Sequence, residues 1–207
     1  MIGGMENSEP SQYVRNLPIG VPLASTERDM SRWDEFPWTG DFGLKQLDEP
    51  VLPEPPRNGE GGPENCWNCD APDGDFVWVD ERWRLSHHGK APGLPIIVLL
   101  QPRAHHDFAD LPADLTAELG PMLQRAERAV LALGGIGRVH VYRWGDGSAH
   151  LHWWLVARPE GMLQMRGTML PMWNGVLPPI SDEDWKAALA VVAASMALGG
   201  GTAIAEA

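Results

Sequence analysis

Two histidines one residue apart, His150 and His152, stand at the head of a run that continues Trp153-Trp154-Leu155-Val156-Ala157-Arg158-Pro159. A neutral imidazole offers a nucleophilic or metal-ligating nitrogen at physiological pH. A pair of them on one surface therefore suits nucleophilic catalysis, proton transfer or metal binding. The bulky apolar run reads as a strand, and strand alternation places His150, His152 and Trp154 on one face with Leu151, Trp153 and Leu155 on the other. The competing reading is a pair of core histidines whose nitrogens are satisfied by hydrogen bonds. A second group is Cys66-Trp67-Asn68-Cys69, which holds both cysteines of the chain. In a reducing compartment this spacing suits half of a metal site or a redox pair rather than a structural disulfide. A thioredoxin-like redox role would need a strand-helix context, and the Asp70-Ala71-Pro72-Asp73-Gly74 that follows is loop chemistry.

These groups need elements to position them. Phe76 to Asp80 and Arg82 to Ser86 flank a turn-like Asp80-Glu81 and read as two short strands. Gly93-Leu94-Pro95 leads into Ile96 to Leu100, an apolar run fit for a buried central strand that Pro102 ends. From Pro112 to Leu133, Leu115, Leu119, Leu123, Ala126, Val130 and Leu133 form the stripe of an amphipathic helix. Asp110 is its expected cap, Gly134-Gly135 its stop, and Pro121 a kink where one backbone donor is missing. Arg138 to Trp144 reads as a strand before the tight Gly145-Asp146-Gly147 turn. Ser181-Asp182-Glu183-Asp184 resembles a capping box and opens a last helix that ends before Gly199-Gly200-Gly201. Met162, Met165, Met169, Met172 and Trp173 read as a segment packed on the domain, with substrate gating or a dimer contact as alternatives. The chain thus partitions into an N-terminal arm and Pro/Gly-rich linker over 1–63, a domain over 64–160, and a C-terminal extension with one helix over 161–207. In the arm, Trp33, Phe36, Trp38 and Phe42 are expected to pack on the domain or a partner subunit. About the first 25 residues are expected to be disordered.

With 207 residues the chain suits one well-buried domain with extensions. A net charge of -12 argues against a nucleic-acid polymer as partner, because such binding rests on Lys and Arg neutralising phosphates. A small phosphate ligand needs only a few basic groups and stays open. The first ten residues lack the basic flank and apolar core of a secretory signal, so a cytoplasmic location is expected. The most apolar segment, Ala187 to Leu198, falls short of the roughly 20 residues that span a bilayer, so no membrane association is expected.

In this order and spacing, Cys66-x-x-Cys69, the paired first strands, Gly93 to Leu100, Gln101-Pro102-Arg103-Ala104-His105, the long helix and Gly145-x-x-x-x-His150-Leu151-His152-Trp153-Trp154 to Arg158 resemble the histidine triad superfamily. The likeness extends in particular to its zinc-containing branch, related to hexose-1-phosphate uridylyltransferases, and covers residues 64 to 159. It implies an α+β domain with an antiparallel sheet and a long helix, here with an N-terminal arm and a C-terminal helix. It also implies a structural zinc held by Cys66, Cys69, His150 and one of His105-His106. His105 is favoured because the family places its histidine three residues after the proline, here Pro102. Thiolates and imidazoles suit tetrahedral zinc, and a complete set of four leaves no open catalytic position.

In the family the middle histidine, matching His152, attacks the α-phosphorus of a nucleotide, which implies a nucleotide or nucleoside phosphate ester as ligand. Candidate donors to the phosphoryl oxygens are Ser148, backbone amides of residues 145–148, and Arg143 or Arg158, arginines that otherwise read as solvated charges. A backbone carbonyl is the expected acceptor for the second nitrogen of His152. Members are often dimers, which implies a homodimer unless the arm covers the edge. The chain departs from the family in three places. The third motif histidine is Trp154, the usual histidine after the third-strand glycine is Leu94, and the asparagine before the motif is missing. The Trp154 indole, with one N–H to donate, is a further candidate to hold a phosphate oxygen, but it cannot shuttle a proton. Trp154 therefore implies either a preference for good leaving groups or a catalytically inactive relative that only binds.

Overall fold

The computed structural model describes residues 9–26 and 29–205, and the chain divides after Pro56 into two compact units. In the first, Ser11 caps the single turn α1 (Gln12–Arg15), its hydroxyl accepting the Val14 N–H at 3.3 Å. The ring of Phe36 packs against Trp38 at 5.1 Å and Phe42 at 5.2 Å, so these aromatics cluster on one another. The disorder expected at the N-terminus falls in part on residues 1–8, outside the described residues.

The second unit carries in order α2 (Trp67–Asp70), β1 (Trp78–Val79), β2 (Trp83–His87), β3 (Ile97–Pro102), α3 (Ala113–Leu131), β4 (Ile136–Tyr142), β5 (Trp153–Pro159), α4 (Leu170–Val176), α5 (Asp182–Ala197) and β6 (Thr202–Ala203). The fold is α+β, with one antiparallel sheet in the order β4-β5-β3-β2-β1-β6. Period-2 alternation gives the sheet two different faces. Trp83, Leu85, Val98, Leu100, Leu155 and Ala157 point to one side. There they meet the α3 stripe of Leu115, Leu119, Met122, Ala126 and Val130, together with Leu189, Val192 and Met196 of α5. Ile97 and Val156 point the other way, where Leu94, Met165 and Leu170 cover part of the sheet. The methionine-rich segment thus packs on the domain, with Met165 and Met169 buried.

Several element boundaries differ from the sequence reading. α3 starts from Pro112, which offers no side-chain cap, while Asp110 ends a separate 3-10 turn, Phe108–Asp110. A residue before proline is driven from helical to extended backbone, so Leu111 keeps the helix from reaching back to Asp110. Ser181 caps α5 as expected, its hydroxyl accepting the Asp184 N–H at 3.0 Å. The two-residue β6 beyond the glycines was not anticipated. It pairs with β1, and Trp78 Nε1 donates to the Gly200 carbonyl at 3.0 Å. Gly201 has φ +73, and an added Cβ would sit 2.5 Å from the Trp78 ring, so glycine is required for that return. Finally, β5 begins at Trp153; His150 lies in a bend, and Leu151 and His152 form a lead-in outside the ladder. The β3–β5 ladder stops at the pair Leu100↔Trp153, because Pro102 has no N–H to give and its carbonyl accepts from the His150 ring at 2.8 Å.

Candidate functional site

Cys66 is the N-cap of α2 and Cys69 lies within its single turn, the Cys69 N–H returning to the Cys66 carbonyl at 3.0 Å. That turn faces the end of β3 and the lead-in to β5. One ligand atom from each of Cys66, Cys69, His105 and His150 falls within 4.8 Å of the others. Cys66 and His150 are fully buried. Backbone carbonyls fix both imidazoles. His150 Nε2 lies 2.8 Å from the Pro102 oxygen and His105 Nε2 3.0 Å from the Gly59 oxygen. A carbonyl only accepts, so both Nε2 atoms carry the proton and both Nδ1 atoms keep a lone pair. Those lone pairs converge on sulfur, with His150 Nδ1 at 3.5 Å from Cys66 and 3.4 Å from Cys69, and His105 Nδ1 at 3.4 Å from Cys69. A tetrahedral metal bound at about 2.3 Å to sulfur and about 2.0 Å to nitrogen sets the two kinds of atom roughly 3.5 Å apart. The cluster therefore fits a four-coordinate metal with no open position.

The electrostatics agree with that fit. Burial pulls the His150 imidazole down to about 4, so it is neutral near pH 7 as a ligand must be. Burial, with Cys66 adding in the same direction, pushes the Cys69 thiol up to about 12. A bound cation reverses that balance by stabilising the thiolate. Of the adjacent histidines, His105 places its Nδ1 among the clustered ligand atoms, whereas His106 contributes its carbonyl, which accepts the Leu151 N–H at 2.7 Å.

His152 Nδ1 lies 2.8 Å from the carbonyl of His150. By the same argument Nδ1 is protonated and Nε2 carries the free lone pair. One residue, His150, thus joins the Cys/His cluster through its ring and holds the His152 ring through its backbone carbonyl. Trp154 follows on the same face. Its ring sits 6.1 Å from His152, 5.6 Å from Trp144 and 4.9 Å from His88. Its Nε1 is buried without a hydrogen-bond partner.

Of the remaining sequence candidates, Arg143 and Ser148 precede the lead-in and Arg158 lies within β5. The Ser148 hydroxyl accepts the His150 N–H at 3.3 Å and keeps its own O–H to donate. Arg143 pairs with Asp107, which also binds Arg57 at 2.9 Å, so this arginine is held on the loop beside the lead-in. Arg158 lies six residues along the chain from His152, roughly 20 Å on an extended strand. Its guanidinium donates to the carbonyls of Pro159 at 3.1 Å and Met162 at 3.3 Å, so the fold does not bring it to His152.

Sequence reading missed the role of residues 57–62, taken there as linker. Asn58 N–H donates to Gly147 at 3.2 Å and its carbonyl accepts from Ala149 at 2.9 Å, while its side chain accepts the Trp67 N–H at 3.1 Å. Arg57 donates to the Gly145 carbonyl at 3.1 Å. This strip ties the cysteine turn to the histidine loop. At Gly59, φ is +75 and an added Cβ would lie 2.8 Å from His105 Cε1. The local cue was Asn58-Gly59, a turn pair, but nothing nearby in sequence showed what the turn would bind. Gln101 was also missed. It is 1% exposed with Nε2 unpartnered, on the same face as Leu99 and Trp154.

No protein-family model matches the chain, and no curated protein matches it. Among solved structures the fold is similar to a zinc-bound histidine triad family protein from Mycobacterium smegmatis, at 22% identity over 66% of this chain and 96% of that one, TM-score 0.47. A histidine triad protein from Bradyrhizobium japonicum shares 17% identity over 58% of this chain and 89% of that one, TM-score 0.48. A uridylyltransferase shares 16% identity over 62% of this chain and 43% of its own length, TM-score 0.45. Among the described residues no helix is long and apolar enough to cross a membrane.

Proposed function

We propose that the chain is a nucleotidyl hydrolase or transferase acting on the α-phosphate of a nucleotide, with His152 as nucleophile and zinc as a structural ion. The observation that carries this reading is the 2.8 Å contact from His152 Nδ1 to the His150 carbonyl, which leaves Nε2 free to attack. As Nε2 forms its bond to phosphorus, the bond from phosphorus to the leaving group breaks and the ring becomes cationic. The same carbonyl then stabilises the charged ring through the Nδ1 proton. Water or a second acceptor displaces the nucleotidyl group and regenerates His152. The Ser148 hydroxyl and the amides of the 145–148 loop are the nearby donors for charge on the phosphoryl oxygens.

Cys66, Cys69, His105 and His150 would hold the zinc, and the ion would supply cross-linking of the fold rather than a reacting ligand. The chemistry of the ligand set and its sulfur-to-nitrogen spacing support that role. His150, so anchored, keeps in place the carbonyl that orients His152.

A second reading, a binding protein without turnover, is favoured by Trp154, whose half-buried indole stands where the family resemblance calls for histidine. Intact-protein mass spectrometry after incubation with activated 5′-ribonucleotides separates the two. The expected result is a mass increase of one nucleotidyl group in the wild type and none in His152→Ala. A zinc-loaded, folded wild type without adduct or turnover would leave the binding reading in place.

A further inference from the structure

The proposed chemistry lacks an acid for the leaving group, because Trp154 occupies the position where the family has its third histidine and its only N–H is buried. The sheet itself brings another imidazole to that place. His88 follows β2 directly and lies on the same face as Trp154. Ser86 pairs with Leu99 and Leu99 with Trp154, so these three share one face, and His88 is two residues on from Ser86. The exposed ring of His88 packs on Trp154 at 4.9 Å, and His152 lies 6.1 Å from the same indole. The two imidazoles thus pack on one indole, their centres no more than 11.0 Å apart, which leaves room for a phosphoryl group between them. In-line displacement puts the attacking nitrogen about 3 Å from phosphorus with the leaving oxygen beyond it. Adding one hydrogen bond to an acid on the far side gives roughly 10 Å between ring centres. His88 also borders a cavity of about 370 Å³ lined by Lys90, Pro92, Gly93, Asn174 and Leu177. Gly93 closes that cavity's rim against α4, its N–H donating to Asn174 Oδ1 at 2.9 Å.

We propose that His88 is the leaving-group acid that Trp154 cannot be, and that the departing alcohol or phosphate occupies the cavity beside it, which Lys90 helps to line. This rests on the nucleotidyl-transfer reading above. As the bond from His152 Nε2 to phosphorus forms and the phosphorus–oxygen bond breaks, the protonated His88 ring passes its proton to the departing oxygen and becomes neutral. In the second half, neutral His88 takes a proton from the attacking water while the phosphorus–nitrogen bond breaks. The proton and the charge are thereby restored. Trp154 is the wall against which both rings pack.

The test compares 4-nitrophenyl, phenyl and methyl esters of the four 5′-ribonucleotides, since 4-nitrophenolate departs without a proton and methoxide does not. Wild type, His88→Ala and His88→Asn are assayed, and near-UV circular dichroism checks each fold. Asparagine keeps polarity and approximate size but no transferable proton. The expected result is that both variants lose about 10² more rate on the phenyl and methyl esters than on the 4-nitrophenyl ester. Equal losses on all esters, or none, would overturn the role of His88 while the nucleotidyl-His152 adduct still forms. Absence of that adduct in the wild type with the 4-nitrophenyl ester would overturn the nucleotidyl-transfer reading, and this inference with it.

Discussion

At the scale of single residues, the site depends on groups with no room for substitution. Gly59 shows this most clearly. Its φ of +75 is unfavourable for any side chain, and a Cβ would press on His105 Cε1 at 2.8 Å and on Cys66 Cβ at 3.1 Å. Gly59→Ala is therefore expected to cost about 1–3 kcal/mol of stability and to lower metal stoichiometry, because His105 must shift from its position near Cys69. Thermal unfolding combined with metal analysis checks both effects, and full metal content at unchanged stability would contradict the account. The residue types of the metal cluster were legible in the sequence, since cysteine and histidine have few other uses in such a pattern. The choice of His105 over His106 rested there on family spacing. In the structure His105 turns Nδ1 to the Cys69 sulfur at 3.4 Å while its Nε2 is held by the Gly59 carbonyl.

At the scale of elements, α3 carries a built-in weakness. Pro121 lies inside the helix, so the Ala117 carbonyl has no donor at its fourth following residue. Pro121 is on the exposed side, away from the buried stripe. Pro121→Ala restores that hydrogen bond without disturbing the core. It is expected to stabilise the protein by about 1–2 kcal/mol, since the gain in the helix is partly offset by a more flexible unfolded chain. A denaturant melt with unchanged m-value checks this; a loss of stability would mean that the proline is required by its surroundings. The stripe, the three longer strands and the C-terminal helix were readable because hydrophobic periodicity reports directly on burial. The start of β5 was not, because the ladder ends where Pro102 and the His150 ring intervene, and that pairing spans 48 residues of sequence. β6 escaped for a similar reason. Two residues have no periodicity, and only their pairing with β1 makes them a strand.

At the scale of the molecule, the cluster joins three distant parts of the chain, so its protonation state should be felt as global stability. His150 is pulled from 6.5 down to about 4 in the folded metal-free protein. Between those values the unfolded chain binds more protons than the folded one, so stability rises with pH through the window and falls on acidification. Chelator-treated protein is therefore expected to lose about 3 kcal/mol from this group between pH 6.5 and pH 4. Metal-loaded protein should be more stable at pH 7 and lose that excess as protons displace the metal. Denaturant melts across pH with and without chelator measure both, and a flat profile in the metal-free protein would contradict the burial of His150. The amino-acid sequence alone determined the α+β class, the sheet with its long helix, and the kinds of side chain available for metal and phosphorus chemistry. Those properties follow from local periodicity and from side-chain type. Only the tertiary structure decided which nitrogens are free, that residues 57–62 belong to the site, that Arg158 stands apart, and that His88 meets Trp154. Each of these depends on hydrogen bonds or ring contacts between segments far apart in the chain, which no local pattern encodes.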